Sequence, residues 1–349
     1  MTSQAASPGA MRARMLKAAA AIRQLYPGAA IAVIFGIAAF ALAARYGAPA
    51  MLIALLLGLG GHFLYDFDRI RPGIDWSART VLRVGVALLG LRIAFADVIS
   101  LGFAPITIVL AAMIVTVVSG VAMARMLGLS NAFGALSGGS VAVCGVSAAI
   151  AISSVLPARE NSERELAVTI AGVTSLSTIA MILYPLGNLF LHLSDREMGV
   201  VLGGSIHDVA QVVGAGYSIS HEAGDTATFV KLMRVSALLP IVAAIYFWIG
   251  RRQSAGAVGG AHYFPPFLIL FFVFAALNSL NLAPALAVEA GAASSQWLLL
   301  ISIAAIGIKT NLKKIIEVGW RPFALMALQT LVMLGVVLGG VLLLRSTTH

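Results

Sequence analysis

Cysteine, acidic residues and stretches of soluble character are what this chain has least of. Cys144 is the one cysteine in 349 residues, so an internal disulfide is excluded, and no Cys/His cluster points to a structural metal. Charged residues are 11% of the chain and aromatic ones 8%, while 60% are apolar and the mean hydropathy is +0.97. A chain so poor in charge reads as an all-α, polytopic membrane protein rather than a soluble globule. Acid is the scarcer sign, 14 Asp and Glu against 23 Lys and Arg, for a formal charge of +9. Nucleic acid is not the implied partner, because the basic residues lie scattered through short loops instead of gathered on one soluble face. A Walker A loop is missing, as are His-Glu-x-x-His and Gly-x-Ser-x-Gly, so neither ATP drive nor hydrolysis is called for. The chain is expected not to be an enzyme and to need no cofactor. An intramembrane hydrolase using Ser140 or Ser205 with His207 is the outlying alternative.

What is present is a series of apolar runs, each near the roughly 20 residues that cross a bilayer as a helix. Eleven are expected: Gly28–Ala44, Pro49–Tyr65, Ala78–Asp97, Phe103–Ala124, Asn131–Leu156, Leu166–Leu191, Met198–Ser220, Phe229–Gly250, Pro265–Ala283, Ser295–Ile308 and Pro322–Leu344. The basic start lacks a compact signal-peptide pattern. Residues 1–26 therefore read as a cytoplasmic tail, with an interfacial helix as the alternative, and 27–349 as one transmembrane domain. Connections are short, and the Gly/Ser-rich piece Ser254–Gly260 reads as a flexible loop.

Charge sets the orientation. With the N-terminus inside, the inner loops hold Arg12, Arg14, Lys17, Arg23, Arg69, Arg71, Arg79, Arg125, Arg196, Arg251, Arg252, Lys313, Lys314 and Arg321, and the outer ones Arg45, Arg159, Arg164 and Arg345. The bias favours a cytoplasmic N-terminus and a periplasmic C-terminus, which requires an odd number of crossings. Five further cations lie too deep to assign to either side.

An internal repeat is visible when Gly90–Pro105 is laid over Gly307–Pro322. Gly90/Gly307, Ile99/Ile316, Gly102/Gly319 and Pro105/Pro322 are identical, and Arg92/Lys309 match in kind. The copies begin in the third and tenth segments and so face opposite ways, as inverted repeats near 78–124 and 295–344 would. Chance similarity in a low-complexity chain is the competing explanation.

Two stretches carry the candidate chemistry. In Met198–Ser220, His207 and Asp208 are the only titratable side chains apart from the flanking tyrosine Tyr217, and they fall near mid-membrane, where ionisable groups are costly and read as functional. Gly203 and Gly204 are expected to break this helix, placing Gly204, Ser205, His207, Asp208 and Gln211 at a cavity. The uncharged run Met126–Ala158 carries a second Gly-Gly-Ser at Gly138, Gly139 and Ser140, followed by Cys144 and Ser147. Broken helices near 131–156 and 198–220 are expected, with half-helix N-termini offering N–H groups to an anion. The alternatives are ordinary small-residue packing for the serines and glycines, and a buried polar cluster pinning helices for His207, Asp208 and Gln211. Arg92 and Lys309 either attract an anion or anchor their helices at an interface. Hydroxyls at Thr174, Ser175, Ser177 and Thr178 line a polar path or bond back to their own helix.

Three motifs, Gly134–Ala151 (GALSGGSVAVCGVSAAIA), Gly203–Gly216 (GGSIHDVAQVVGAG) and Gly307–Leu312 (GIKTNL), resemble those of the YeiH-type bacterial inner-membrane proteins, often labelled sulfate exporters. The resemblance covers nearly the whole chain. It implies kinship with sodium/proton antiporters and bile-acid-type symporters: inverted repeats, two discontinuous helices crossing at mid-membrane, and a core domain moving against a dimerisation domain, which admits a homodimer. Val143-Cys144 stands where an antiporter would carry an Asp-Asp or Asn-Asp pair, so proton or sodium antiport is not implied at that position. The expected function is secondary transport of a small anionic solute such as sulfate, sulfite or an organosulfonate, with a proton or sodium ion as a candidate coupling partner. A carrier of another organic solute, or a channel of the same fold, is the alternative.

Overall fold

A computed structural model of the protein describes residues 8–92, 102–157, 159–248, 266–310 and 319–348. Every regular element among them is helical: α1 (Pro8–Tyr46), α2 (Ala50–Gly60), α3 (Arg71–Trp76), α4 (Leu82–Leu89), α5 (Phe103–Met126), α6 (Asn131–Ala142), α7 (Val146–Ser153), α8 (Ser162–Leu191), α9 (Asp195–Ser205), α10 (Val209–Tyr217), α11 (His221–Ser236), α12 (Leu238–Trp248), α13 (Pro266–Ser279), α14 (Ala285–Lys309) and α15 (Trp320–Thr348). A 3-10 turn, His62–Asp66, precedes α3, and a π turn, Ser77–Val81, joins α3 to α4.

By length and composition, five of these helices can cross a bilayer alone: Ile22–Tyr46 within α1, then α5, α8, α14 and Trp320–Ser346 within α15. The bent pair α11 and α12 makes a sixth if it is one span. Helices α2 and α13 are apolar but shorter. The expected fifth and seventh segments are each two half-helices, α6 with α7 and α9 with α10. Parts of the expected pattern lie outside the described residues: the first seven of the tail, 93–101 and 311–318 of the repeat, and the loop Ser254–Gly260.

The chain divides into two compact units. The first comprises the described residues up to Gly85 together with Gln296–Thr310. Glycines let its helices touch backbone to backbone: an added Cβ on Gly28 or Gly73 would meet the other's Cα at 2.7 Å, and one on Gly58 or Gly307 would do so at 2.8 Å. The second unit comprises the described residues of Val86–Ser295 and those from Gly319 onward. In it α5 packs on α6 and α15, and α9 and α10 both lie along α11. Its core is made by α6, α9, α10 and α11, most of whose residues are buried.

Candidate functional site

Both broken helices are begun by ordinary caps. Ser130 accepts from the Phe133 amide at the start of α6, and Ser194 with Glu197 forms a capping box at the start of α9. What ends them differs from the expectation that the Gly-Gly pairs are the break points. Gly138, Gly139 and Ser140 lie inside α6, and Gly203, Gly204 and Ser205 are the last turn of α9. The breaks follow, at Val143–Gly145 and at Ile206–Asp208. The glycines serve contact instead. A Cβ on Gly203 would strike the Ala227 carbonyl and Val230, and one on Gly204 would meet Val337 at 2.8 Å. The serine hydroxyls bond back one turn, Ser140 to Leu136 and Ser205 to Val201, both at 2.5 Å. Gly145 has φ 63°, the left-handed conformation glycine tolerates, and there the chain turns into α7.

Two cations from α11 hold the breaks. Lys231 Nζ donates to the carbonyls of Val143 (2.7 Å), Ile206 (3.0 Å) and His207 (2.5 Å). Arg234 donates from Nε to Ala142 (3.0 Å), from one terminal nitrogen to Gly203 and Ile206 (2.9 Å each), and from the other to Val141 (2.9 Å) and Ala142 (2.8 Å). Both side chains are 0% exposed. An ammonium has three donors and a guanidinium five, so every donor is used on a carbonyl at a helix C-terminus. These bonds answer the need of orphan carbonyls at a helix end, and the charges oppose the negative end of each helix dipole. Sequence reasoning missed this pair by leaving it among the cations too deep to assign. The available signal was two cations three apart in an apolar run, which share a helix face.

The polar residues at the second break are held from α8 and α15. The Asp208 amide donates to Ser177 Oγ at 3.1 Å, and its carboxylate caps α10 by accepting from the Ala210 amide at 3.0 Å. Gln211 donates to Thr178 Oγ1 at 2.9 Å, and His207 Nε2 lies 3.0 Å from Thr330 Oγ1. Next to Thr330, Gln329 donates to Ser137 Oγ at 2.9 Å. His207 and Gln329 are 0% exposed and Gln211 3%, whereas Asp208 is half-buried. Ser177 and Thr178 belong to the hydroxyl set expected to line a polar path or to bond back to their own helix, and Thr178 both bonds back to Thr174 and accepts from Gln211. Gln329 and Thr330 were not singled out from sequence, since hydroxyls and amides on apolar helices give little warning of which face they occupy.

The structure thus brings His207, Asp208, Gln211 and buried Cys144 to the two breaks, with Gly138, Gly139, Ser140, Gly204 and Ser205 in the helices leading into them. Ser147 is exposed on the first turn of α7. Arg92 is elsewhere in the same unit, paired with Asp225 at 3.3 Å and 3.4 Å from His221 Nδ1; Tyr217 donates to the same Asp225. Lys309 belongs to the first unit, where it pairs with Asp75, which also accepts from Tyr65 at 3.1 Å. Among the described residues no group of His, Cys, Asp and Glu could hold a metal ion.

The profile of a family described as conserved hypothetical protein 698 matches residues 27–326. The chain belongs to that family. It is similar to the UPF0324 membrane protein TauZ of Paracoccus denitrificans, 49% identical over 323 residues, which cover 92% of this chain and 96% of the relative. It is likewise similar to the UPF0324 membrane protein CT0845 of Chlorobaculum tepidum, 44% identical over 318 residues, covering 90% and 89%. The family is the YeiH-type one that the motifs resemble, and membrane localisation follows from these relatives together with the long apolar helices. No solved structure matches the chain.

Proposed function

We propose that the protein is a secondary transporter, not an enzyme, that carries a small anion of the sulfate, sulfite or organosulfonate kind across the bacterial inner membrane by alternating access. The charge at the breaks carries this reading. Two helix N-termini and two C-termini meet there, about +0.5 and −0.5 each, so the four ends cancel. Lys231 and Arg234 against the single carboxylate of Asp208 then leave a surplus of about one positive charge, strongly felt in a low-dielectric interior. The two N-termini are also unlike. Asp208 occupies that of α10, whereas α7 starts at Gly145 with no side-chain cap, beside His207 and with Ser147 in its first turn. An anion fits the N-terminus that lacks a carboxylate of its own.

Each broken pair, α6 with α7 and α9 with α10, is long enough to cross about 30 Å of hydrocarbon, and with the remaining helices supports the eleven-crossing reading. The repeat gains support from Gly102 and Gly319, which the alignment pairs. Both have positive φ, 76° and 82°, and each opens a long helix, α5 and α15. Hydrolysis is disfavoured because Ser140 and Ser205 spend their hydroxyl protons on their own helices while His207 Nε2 faces Thr330.

The test is anion flux in sealed proteoliposomes with thermal stabilisation of the purified chain by an anion panel. His207→Ala and Asp208→Asn should each change uptake and its pH profile, and Ser218→Ala should not. If no anion stabilises or moves, the anion reading fails; if both variants match the wild type, the breaks are structural only.

A further inference from the structure

Three buried side chains around the breaks are anchored in one repeated manner. Thr330 donates its hydroxyl proton to the Met326 carbonyl at 2.8 Å, Thr178 to Thr174 at 3.0 Å and Ser137 to Phe133 at 2.9 Å. A hydroxyl has one proton, so toward His207, Gln211 and Gln329 each of these oxygens can only accept. That orients the two amides, whose N–H₂ points at the hydroxyl with the acceptor end pointing away, and favours the imidazole tautomer with Nε2–H toward Thr330. Among the described residues, the far ends Gln211 Oε1 and Gln329 Oε1 are buried and meet no hydrogen-bond partner, as does His207 Nδ1 in the Nε2–H tautomer. All three are lone-pair acceptors when the imidazole is neutral. The half-buried Asp208 carboxylate, lying in sequence between His207 and Gln211, adds acceptor capacity.

The donor side shows the opposite condition, since all the protons of Lys231 and Arg234 are committed to carbonyls. A buried acceptor without a donor costs about 1–3 kcal/mol. A bare tetrahedral oxyanion offers only further acceptors and cannot relieve this. We propose that the solute has an anionic end and also carries hydrogen-bond donors on the same molecule, either a hydroxyl group, which keeps it an anion, or an ammonium, which makes it a zwitterion. Its negative end lies at the N-terminus of α7, in the field of Lys231 and Arg234, and its donor group is read by His207 Nδ1 and Gln211 Oε1. This rests on the anion reading above and narrows it.

The experiment compares ethane- and propanesulfonate with their terminal hydroxy and amino derivatives and with sulfate. Purified full-length protein gives affinity by thermal stabilisation, and proteoliposomes give competition for uptake. Donor-bearing sulfonates should bind about tenfold or more tightly than bare ones of the same length, the worth of one good hydrogen bond. Gln211→Leu should bring that ratio close to one. Should that variant fail to fold, Gln211→Met is the substitute, and the wild-type ratio decides by itself. Equal or tighter binding of sulfate or bare sulfonates overturns the proposal while leaving the anion reading intact. A preference that sodium alone abolishes assigns the acceptors to a coupling ion and overturns it too. Absence of binding by every member of the series brings down both readings together.

Discussion

Thr330 Oγ1 lies 3.0 Å from His207 Nε2 and bonds back to the Met326 carbonyl, so one threonine on α15 favours the Nε2–H tautomer of the histidine in the α9–α10 break. Thr330→Ser should preserve this and Thr330→Val should not. We expect the valine variant to lose about 1–3 kcal/mol of stability, with a changed pH profile of uptake. Thermal unfolding and proteoliposome flux across pH, run on both variants, check it. A valine variant indistinguishable from wild type in both would show that the contact sets nothing.

The Lys231 and Arg234 contacts are not interchangeable. Arg234→Lys keeps the charge but offers three donors where five carbonyl bonds are made, and Lys231→Met removes charge and donors together. Each should destabilise the fold, the methionine variant by about 1–3 kcal/mol for each buried carbonyl left without a donor. Unfolding in detergent measures this, and an Arg234→Lys protein as stable as wild type would contradict the donor argument.

Gly203 is held to its size by α11. In Gly203→Ala the new methyl meets the Ala227 carbonyl and Val230, so α9 must shift away from α11 and weaken the Arg234 bond to the Gly203 carbonyl. A loss of about 1–3 kcal/mol is expected. Gly335→Ala is the control, because nothing lies within 4 Å of the added carbon. Equal behaviour of the two variants would sink the explanation.

Lys309 has a local partner in Asp75, and both side chains are about a third exposed. Such a pair contributes little, at most about 1 kcal/mol. Lys309→Gln and Asp75→Asn should therefore behave alike, each slightly less stable and neither changed in anion affinity. Weaker anion binding in Lys309→Gln alone would return the lysine to the solute path.

Topology supplies the remaining expectation. Reporter fusions at Met1 and His349 should register opposite compartments, cytoplasmic and periplasmic. Both ends on one side would remove the odd crossing number and the inverted repeat.

The helical, membrane-bound character was legible because apolar run length is fixed by bilayer thickness and needs no tertiary context. The two interrupted helices were also legible, since glycine pairs flanking buried polar residues rarely suit a continuous helix. Their break points were not. A glycine reads as a breaker in isolation, yet Gly203 and Gly204 are demanded by close neighbours on α11, α5 and α15, and the helix ends only where Lys231 and Arg234 supply donors for its last carbonyls. Those partners are 24 to 31 residues distant for α9 and 88 to 93 for α6, beyond the reach of local pattern. Arg92 and Lys309 matched in the repeat, but their salt bridges to Asp225 and Asp75 depend on spatial neighbours that spacing does not disclose.

The carbonyl ties from α11 also constrain how the molecule can work mechanically. Eight hydrogen bonds from two side chains rivet the ends of α6 and α9 to one helix, and separating them would strand a desolvated ammonium and guanidinium together. In the proposed alternating-access cycle those three helices travel as a single rigid block, with the flexing confined to the segments that lead into it.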